Sequence, residues 1–288
     1  MYRQKICLGL TKGYELPYEE QIALFHKTGF EEFFIDACGR DADIGALVRK
    51  GKEESMSVQS VHAPFNRSDD MWNPEGDLGE IAVTELLSYL EECARYEVPI
   101  MVTHVWLGFE YDDKPNECGI ERYGRLVKRA DELGVKLALE NTEGEEFLET
   151  LLTRFKDEKS VGFCWDSGHE QCYSFSRDLL KKYGHKLFCT HLNDNLGVRD
   201  YNGKITFVDD LHLLPFDGII DWEDVGKRLV DCGFDGTLTF ELKRICRTGR
   251  RENFPYEAMK PEDYVTAAYE RACRVAFLKL KAEDRKNG

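Results

Sequence analysis

None of the ten cysteines in the sequence belongs to a Cys-x-x-Cys pair, which removes the usual thiolate zinc and dithiol redox frames. Cys7, Cys164 and Cys189 lie inside apolar, strand-like runs and read as reduced, buried thiols. No apolar run approaches the length of a membrane span, and Met1-Tyr-Arg-Gln-Lys5 leads straight into a strand. Neither membrane insertion nor secretion is therefore expected, and the expected location is the cytoplasm. No Gly-x-Gly-x-x-Gly follows any strand-like run, which argues against an open dinucleotide-binding sheet. Positive charge is also short: 39 Lys and Arg against 54 Asp and Glu leave a net charge of -15. That field repels a phosphate backbone, so small polar molecules are the expected partners and nucleic acid is not. No repeat, low-complexity stretch or linker interrupts the chain, and a single domain over residues 1–288 is expected.

What is present is a regular alternation. Eight β-rich runs occur near Ile6 to Leu10, Glu32 to Asp36, Ser57 to His62, Ile100 to Trp106, Lys136 to Glu140, Val161 to Asp166, Leu187 to His191 and Gly236 to Leu242. Between most of them the apolar spacing is helical. Leu86, Leu87, Leu90, Cys93 and Ala94 form one stripe; Tyr123, Leu126, Val127, Ala130 and Leu133, ended by Gly134, form another; Phe147, Leu151, Leu152 and Phe155 form a third. A final helix opens at Pro261 and carries Tyr264, Ala268, Ala272 and Val275. Strands alternating with helices pair in parallel, and eight such units that close on themselves make a (β/α)8 TIM barrel. Two longer connections, Asn66 to Gly79 and Asp194 to Asp221, are read as lids or binding segments.

Several of the strand-like runs stop on a polar group, as in Gly162-Phe-Cys-Trp-Asp166-Ser-Gly-His169. A barrel brings the C-terminal ends of all its strands to one face, where active sites are built. That geometry gathers His62, His104, Glu140, Asp166, His169, His191 and Glu241, to which the seventh connection adds Asp210 and His212. Five of the seven histidines are in this set. Taken singly, each has a bland reading: a hydrogen-bonded core histidine, a buried ion-pair partner, or, for Asp166, a cap on the next turn. Together, Glu140, Asp166, His191 and Glu241 put three carboxylates in one mouth, which repel unless a divalent cation or shared protons relieve them. A carboxylate and imidazole set without thiolate suits Mn, Mg, Co or Zn. Trp106, Trp165 and Phe216 are candidates for an apolar wall beside it. Lys243, Arg244 and Arg247, beyond the last strand, could take a phosphate or carboxylate, or could be a solvated loop.

The motifs Ser60-Val-His62-Ala-Pro-Phe65, Leu139-Glu140-Asn141, Trp165-Asp166-Ser-Gly-His169, His191-Leu-Asn193-Asp194, Asp210-Leu-His212-Leu-Leu-Pro215-Phe-Asp-Gly218 and Phe240-Glu241 resemble the xylose isomerase-like TIM-barrel superfamily. That superfamily includes sugar and sugar-phosphate isomerases, ketose 3-epimerases, inosose dehydratases and type IV apurinic endonucleases. For epimerase-like members the resemblance implies one divalent metal on Glu140, Asp166, His191 and Glu241, with Glu140 and Glu241 also the acid and base and His169 on substrate oxygens. This chain has His212 ahead of Pro215 where ketose epimerases usually carry an arginine. For the endonuclease branch it implies up to three Zn on all nine of the gathered residues. The leading expectation is a metal-dependent sugar or sugar-phosphate isomerase or epimerase working through an enediolate. The alternatives are a zinc phosphodiesterase and a barrel that binds a sugar or metal without turnover. A homo-oligomer is compatible with the superfamily.

Overall fold

All eight apolar runs form strands in the computed structural model, which describes residues 4–109, 111–174, 177–198 and 206–287. They are β1 (Ile6–Gly9), β2 (Glu32–Asp36), β3 (Ser57–His62), β4 (Ile100–His104), β5 (Lys136–Glu140), β6 (Val161–Asp166), β7 (Leu187–His191) and β8 (Leu238–Phe240). The helices are α1 (Tyr18–Thr28), α2 (Ile44–Glu53), α3 (Leu78–Arg95), α4 (Glu117–Leu133), α5 (Glu145–Arg154), α6 (Ser167–Tyr173), α7 (Leu179–Tyr183), α8 (Trp222–Asp231), α9 (Phe254–Glu257) and α10 (Pro261–Asn287). The strands are parallel and ordered β7-β6-β5-β4-β3-β2-β1-β8. Two bonds bring the ends together, Leu192 N to Thr239 O at 2.7 Å and Glu241 N to Leu192 O at 3.2 Å. The result is a nearly closed (β/α)8 barrel.

Strand alternation decides what reaches the mouth. On β4 to β7, Val102, Ala138, Cys164 and Cys189 form a small apolar layer of their own, separate from the helix-facing core that holds Met101, Leu137, Leu139, Phe163 and Trp165. Two residues further along each of these strands stand His104, Glu140, Asp166 and His191. These short side chains therefore make a floor on which the polar layer rests. The buried Cys7, Cys164 and Cys189 are free thiols.

The helix stripes bury as expected. Leu126, Val127 and Ala130 of α4 are in the core, and Gly134 ends the helix at φ 69°, its amide bonded to Ala130 and Asp131 carbonyls. α10 follows β8 as the eighth barrel helix, burying Tyr264, Ala268, Ala272 and Val275 and packing on α8 and α1. The connection from Asn66 to Gly79, read from sequence as a lid or binding segment, is anchored in the fold. Met71 and Trp72 are buried, Trp72 Nε1 donates to Val105 O at 2.7 Å, and Arg122 Nη1 of α4 donates to the carbonyls of Asp70, Met71 and Asn73. An indole with nowhere else to bury fixes that segment against α3 and α4. Within the other long connection, Asp194 to Asp221, residues 199–205 lie outside the described residues. Among the described residues no helix is long and apolar enough to cross a membrane.

Candidate metal and substrate site

Glu140, at the end of β5, is the centre of the mouth and is fully buried. Its Oε2 lies 3.0 Å from His62 Nε2 and 3.5 Å from His104 Nε2, and its Oε1 lies 3.0 Å from His191 Nδ1. The same His191 nitrogen is 3.0 Å from Glu241 Oε2, so two carboxylates face one imidazole. Burial alone would raise the Glu140 pKa, yet His191, His104 and His62 hold it well below the usual carboxylate range. Burial likewise works against a charged His191, but Glu140 and Glu241 push its pKa well up. His104, where burial dominates, falls to about 4. Glu241 differs from Glu140 in access. It sits just past the short β8, and its side chain is 23% exposed where that of Glu140 is 0%.

Asp166 closes the set from β6 and does two things at once. Its Oδ1 accepts from His169 N at 2.7 Å, capping α6, while Oδ2 accepts from Asn193 Nδ2 at 2.9 Å. Asn141, the residue after Glu140, ties β5 to β6 by donating to Asp166 O at 2.9 Å and accepting from Asp166 N at 2.8 Å. Because α6 starts directly at Asp166, His169 turns back over the mouth, its Nδ1 2.9 Å from Asn141 O. Nothing in the sequence pattern assigns a role to Asn141 or Asn193, although Asn141 directly follows Glu140 and Asn193 stands two residues after His191.

The seventh connection supplies the remaining pair. His212 Nε2 is 2.7 Å from Asp210 Oδ2, and His169 Nε2 is 3.6 Å from Asp210 Oδ1. His212 adopts φ 49°, a left-handed conformation uncommon for a residue with a side chain. It is held by its Nδ1 contact with Glu241 O at 3.0 Å and by Lys243 N donating to His212 O at 3.0 Å. Arg247 also grips Asp210, through Nε to the carbonyl at 2.7 Å and Nη2 to Oδ2. Lys243 Nζ lies 3.7 Å from the same carboxylate. Arg244, grouped with these two from sequence, points elsewhere: it is buried, paired with Glu15 and donates to the carbonyls of Tyr256, Glu257 and Met259.

A pocket of ≈ 300 Å³ opens beside the cluster, with His104, His169 and Asp210 at its polar side and Phe65, Phe109, Tyr173 and Phe207 among its walls. These aromatics replace the expected wall. Trp165 is a residue next to Asp166 on a strand, so it faces the opposite way, into the helix layer, where its Nε1 donates to Glu170 at 3.0 Å. Trp106 is buried and stacked on Phe147 at 4.1 Å, and fills the space a Gly144 side chain would need. Phe216 packs on Trp222 and under Arg274. Two of the real wall residues did carry a sequence signal. Tyr173 is four residues after His169 on one helix and stacks on it at 5.0 Å, and Phe65, three after His62, stacks on His104 at 4.1 Å. Glu143 also lines the pocket, and burial raises its pKa.

The mouth thus collects all nine sequence candidates. They fall into groups whose ligand atoms lie within 4.8 Å of one another: Glu140, Asp166, His191 and Glu241; His62, His104 and Glu140; and His169, Asp210 and His212. The first has three carboxylates and one imidazole in a fully or nearly buried place, a donor set that fits a divalent cation. Buried His104 Nδ1 and Asp210 Oδ1 have no hydrogen-bond partner among the described residues, so the site has coordinating capacity beyond its own network.

Comparison with known proteins places this arrangement. An uncharacterized protein of Sinorhizobium fredii, y4fM, is 32% identical over 168 residues, 56% of this chain and 48% of that protein. A probable endonuclease 4 of Natranaerobius thermophilus is 23% identical over 211 residues, 65% of this chain and 70% of its own. The chain thus spans about half the length of the first of these curated relatives. Among solved structures, D-psicose 3-epimerase with D-tagatose from Clostridium cellulolyticum H10 superposes with a TM-score of 0.67 at 17% identity, over 93% of this chain and 98% of that one. The IolI protein with a bound zinc atom superposes with a TM-score of 0.72 at 19% identity, over 94% and 97%. At those identities the likeness is one of fold. The family model for the xylose isomerase-like TIM barrel matches residues 20–262, most of the chain, and the protein belongs to that family.

Proposed function

We propose that this protein is a cytoplasmic, divalent-metal-dependent isomerase or epimerase of a sugar or sugar phosphate. The observation that carries the reading is the pair of glutamates on one imidazole, one sealed and one part-exposed, beside a pocket sized for a small polyol. The epimerase neighbours and the family support it. Glu140, Asp166, His191 and Glu241 would hold the cation, and the chemistry it supplies when bound is Lewis acidity toward a substrate carbonyl and the adjacent hydroxyl, which acidifies the C–H between them.

The chain's own residues do the rest. Glu241, with its access to the mouth, takes the proton from carbon and releases it to solvent. Glu140, ionised in the free protein, receives a proton from His62 Nε2, 3.0 Å from its Oε2, and returns it at the neighbouring carbon or the opposite face, His62 being recharged from solvent. The same contact fixes the orientation of the Glu140 carboxylate. His169 and His104 face the pocket and meet the substrate hydroxyls, while the aromatic walls exclude water from the enediolate.

The reading is tested by deuterium exchange from D2O into carbon-bound positions of a panel of ketoses and their phosphates, followed by NMR with Mn, Co, Mg or Zn added. Exchange is expected for at least one sugar, and E241Q and E140Q should each lower it by about 100-fold or more. No exchange for any sugar overturns the reading. A second reading, a zinc phosphodiesterase, is favoured by one observation, the two further ligand groups on His62, His104 and His169, Asp210, His212. Elemental analysis separates them. About one divalent ion per chain fits the isomerase, and about two or three zinc ions with cutting of an abasic duplex fit the phosphodiesterase.

A further inference from the structure

The tract from Lys243 to Arg251 carries five basic residues in a strongly acidic chain, and the structure sorts them. Arg244 and Arg250 are buried and consumed, the first by Glu15 and three carbonyls, the second by Asp209 at 2.6 Å and Glu252 at 2.9 Å. Arg251 is on the outer surface. Lys243 and Arg247 alone turn to the mouth. Both face Asp210 Oδ2, so two cations share one carboxylate. Of the other charged groups lining the pocket, Glu143 is tied to Gly108 N at 2.9 Å and is offset by His169, which leaves a positive charge over. Arg247 lines the pocket, its side chain is 23% exposed, and its Nη1 makes no hydrogen bond among the described residues.

The position of that surplus charge within the pocket is what gives it meaning. Of the lining residues, His104, 8% exposed, touches the carboxylate cluster, its Nε2 3.5 Å from Glu140 Oε2, whereas Phe207, 55% exposed, and the part-exposed Arg247 reach solvent. A ligand with its carbonyl end at the cluster would therefore put its far end toward Arg247, with the Lys243 ammonium beside it across Asp210, 3.7 Å from Oδ2. A planar fork with a free N–H beside a second ammonium matches a dianionic, tetrahedral oxyanion better than a single carboxylate. Loops after the seventh and eighth strands are also where barrels of this kind most often seat a phosphate.

We propose that Lys243 and Arg247 form the receptor for a terminal phosphomonoester, so that the substrate is a sugar phosphate and not a free sugar. This rests on the isomerase reading for the sugar, but the anion site is measured independently of turnover. Isothermal titration of the protein as purified with inorganic phosphate and, separately, with acetate provides the probe. Phosphate is expected to bind, about 10-fold or more weakly to R247Q, as loss of a charge-assisted bond requires. K243Q, at a more exposed position, should weaken it a few-fold, and R247K should restore only part of what R247Q loses. A melting curve for each variant reports folding, and K243Q carries the test alone if R247Q does not fold.

Equal phosphate affinity in wild type, R247Q and K243Q overturns the proposal, as does no binding to the wild type. Acetate binding as tightly as phosphate, with the same loss in R247Q, overturns the phosphomonoester in favour of a carboxylate substrate. The two failures are separable: phosphate binding lost in R247Q with no deuterium exchange into any sugar leaves the anion site standing and removes the isomerase. Exchange into free ketoses with phosphate affinity unchanged in R247Q does the reverse.

Discussion

Asp166 shows how one residue can set the pH behaviour of the whole site. Burial, helped by the charges of Glu140 and Glu241 and opposed by His169 and His212, pushes its pKa up to about 6. The sign follows directly: the folded carboxyl binds a proton more tightly than the unfolded one, so its contribution favours the metal-free fold at low pH and is lost as pH rises toward 6. A cation must displace that proton, and at neutral pH it must also displace the one that Glu140 and Glu241 hold on His191 against burial. Titrating Mn or Zn calorimetrically in buffers of different ionisation enthalpy should therefore give release of about one proton at pH 7, rising toward about two below pH 6. Affinity should fall with falling pH throughout. A heat independent of buffer at both pH values would remove His191 and Asp166 from the ligand set. These residues were legible in the sequence because each is a polar stop on an apolar run. The cap on the next turn, offered from sequence as the bland alternative for Asp166, is also present, so the two readings coexist: one oxygen caps α6 while the residue stays in the cluster.

At the scale of elements, the connection from β7 to α8 is organised by a residue that holds no substrate. Asp194 Oδ1 accepts from Asn195 N at 2.8 Å and Ile220 N at 3.1 Å, and its Oδ2 accepts from Phe216 N and Trp222 Nε1, both at 2.8 Å. Its backbone pairs with Leu213 in both directions at 2.9 Å, one residue from the left-handed His212. In D194N one oxygen becomes an NH2 facing two donors, whichever way the amide is turned, and a buried donor is left unmet. We expect a loss of about 2–4 kcal/mol in urea unfolding, with faster hydrogen exchange at the Phe216 and Ile220 amides. Unchanged exchange at those two amides would show that the loop keeps its shape without the carboxylate. The same scale explains the misread wall. Trp165 and Asp166 are adjacent on a strand, so a sequence that sends one to the mouth must send the other to the helices. The period was available from the residues, and Phe65 and Tyr173 carried a signal in their spacing from His62 and His169, but Phe109 and Phe207 did not, because they come from irregular connections whose course has no period.

For the whole molecule, the barrel itself was the most legible feature, since eight apolar runs separated by amphipathic helices leave few ways to close a core. Its charge is the property that acts at this scale. Close ion pairs cover the surface, Arg125 with Glu80 at 2.6 Å and Arg129 with Glu91 at 3.1 Å among them, yet exposed pairs of this kind are each worth roughly 0–1 kcal/mol. The net charge of -15 is not paired away by them, and its repulsion acts over longer distances in the native fold. Added salt screens charges separated by more than about 10 Å at 0.1 M, so it relieves that repulsion before it weakens pairs in contact. Raising NaCl from about 20 mM to about 500 mM should then raise the melting temperature by a few degrees, about 2–4 °C for each kcal/mol of relieved repulsion in a domain of this size. The same excess should keep duplex DNA from being retained at physiological salt, since release of counterions cannot offset a like-charged surface. A melting temperature that falls with salt would show that attractive pairs outweigh the excess. Retention of an abasic duplex with a steep salt dependence would reveal a basic grip outside the pocket, and with it the phosphodiesterase reading would displace the isomerase.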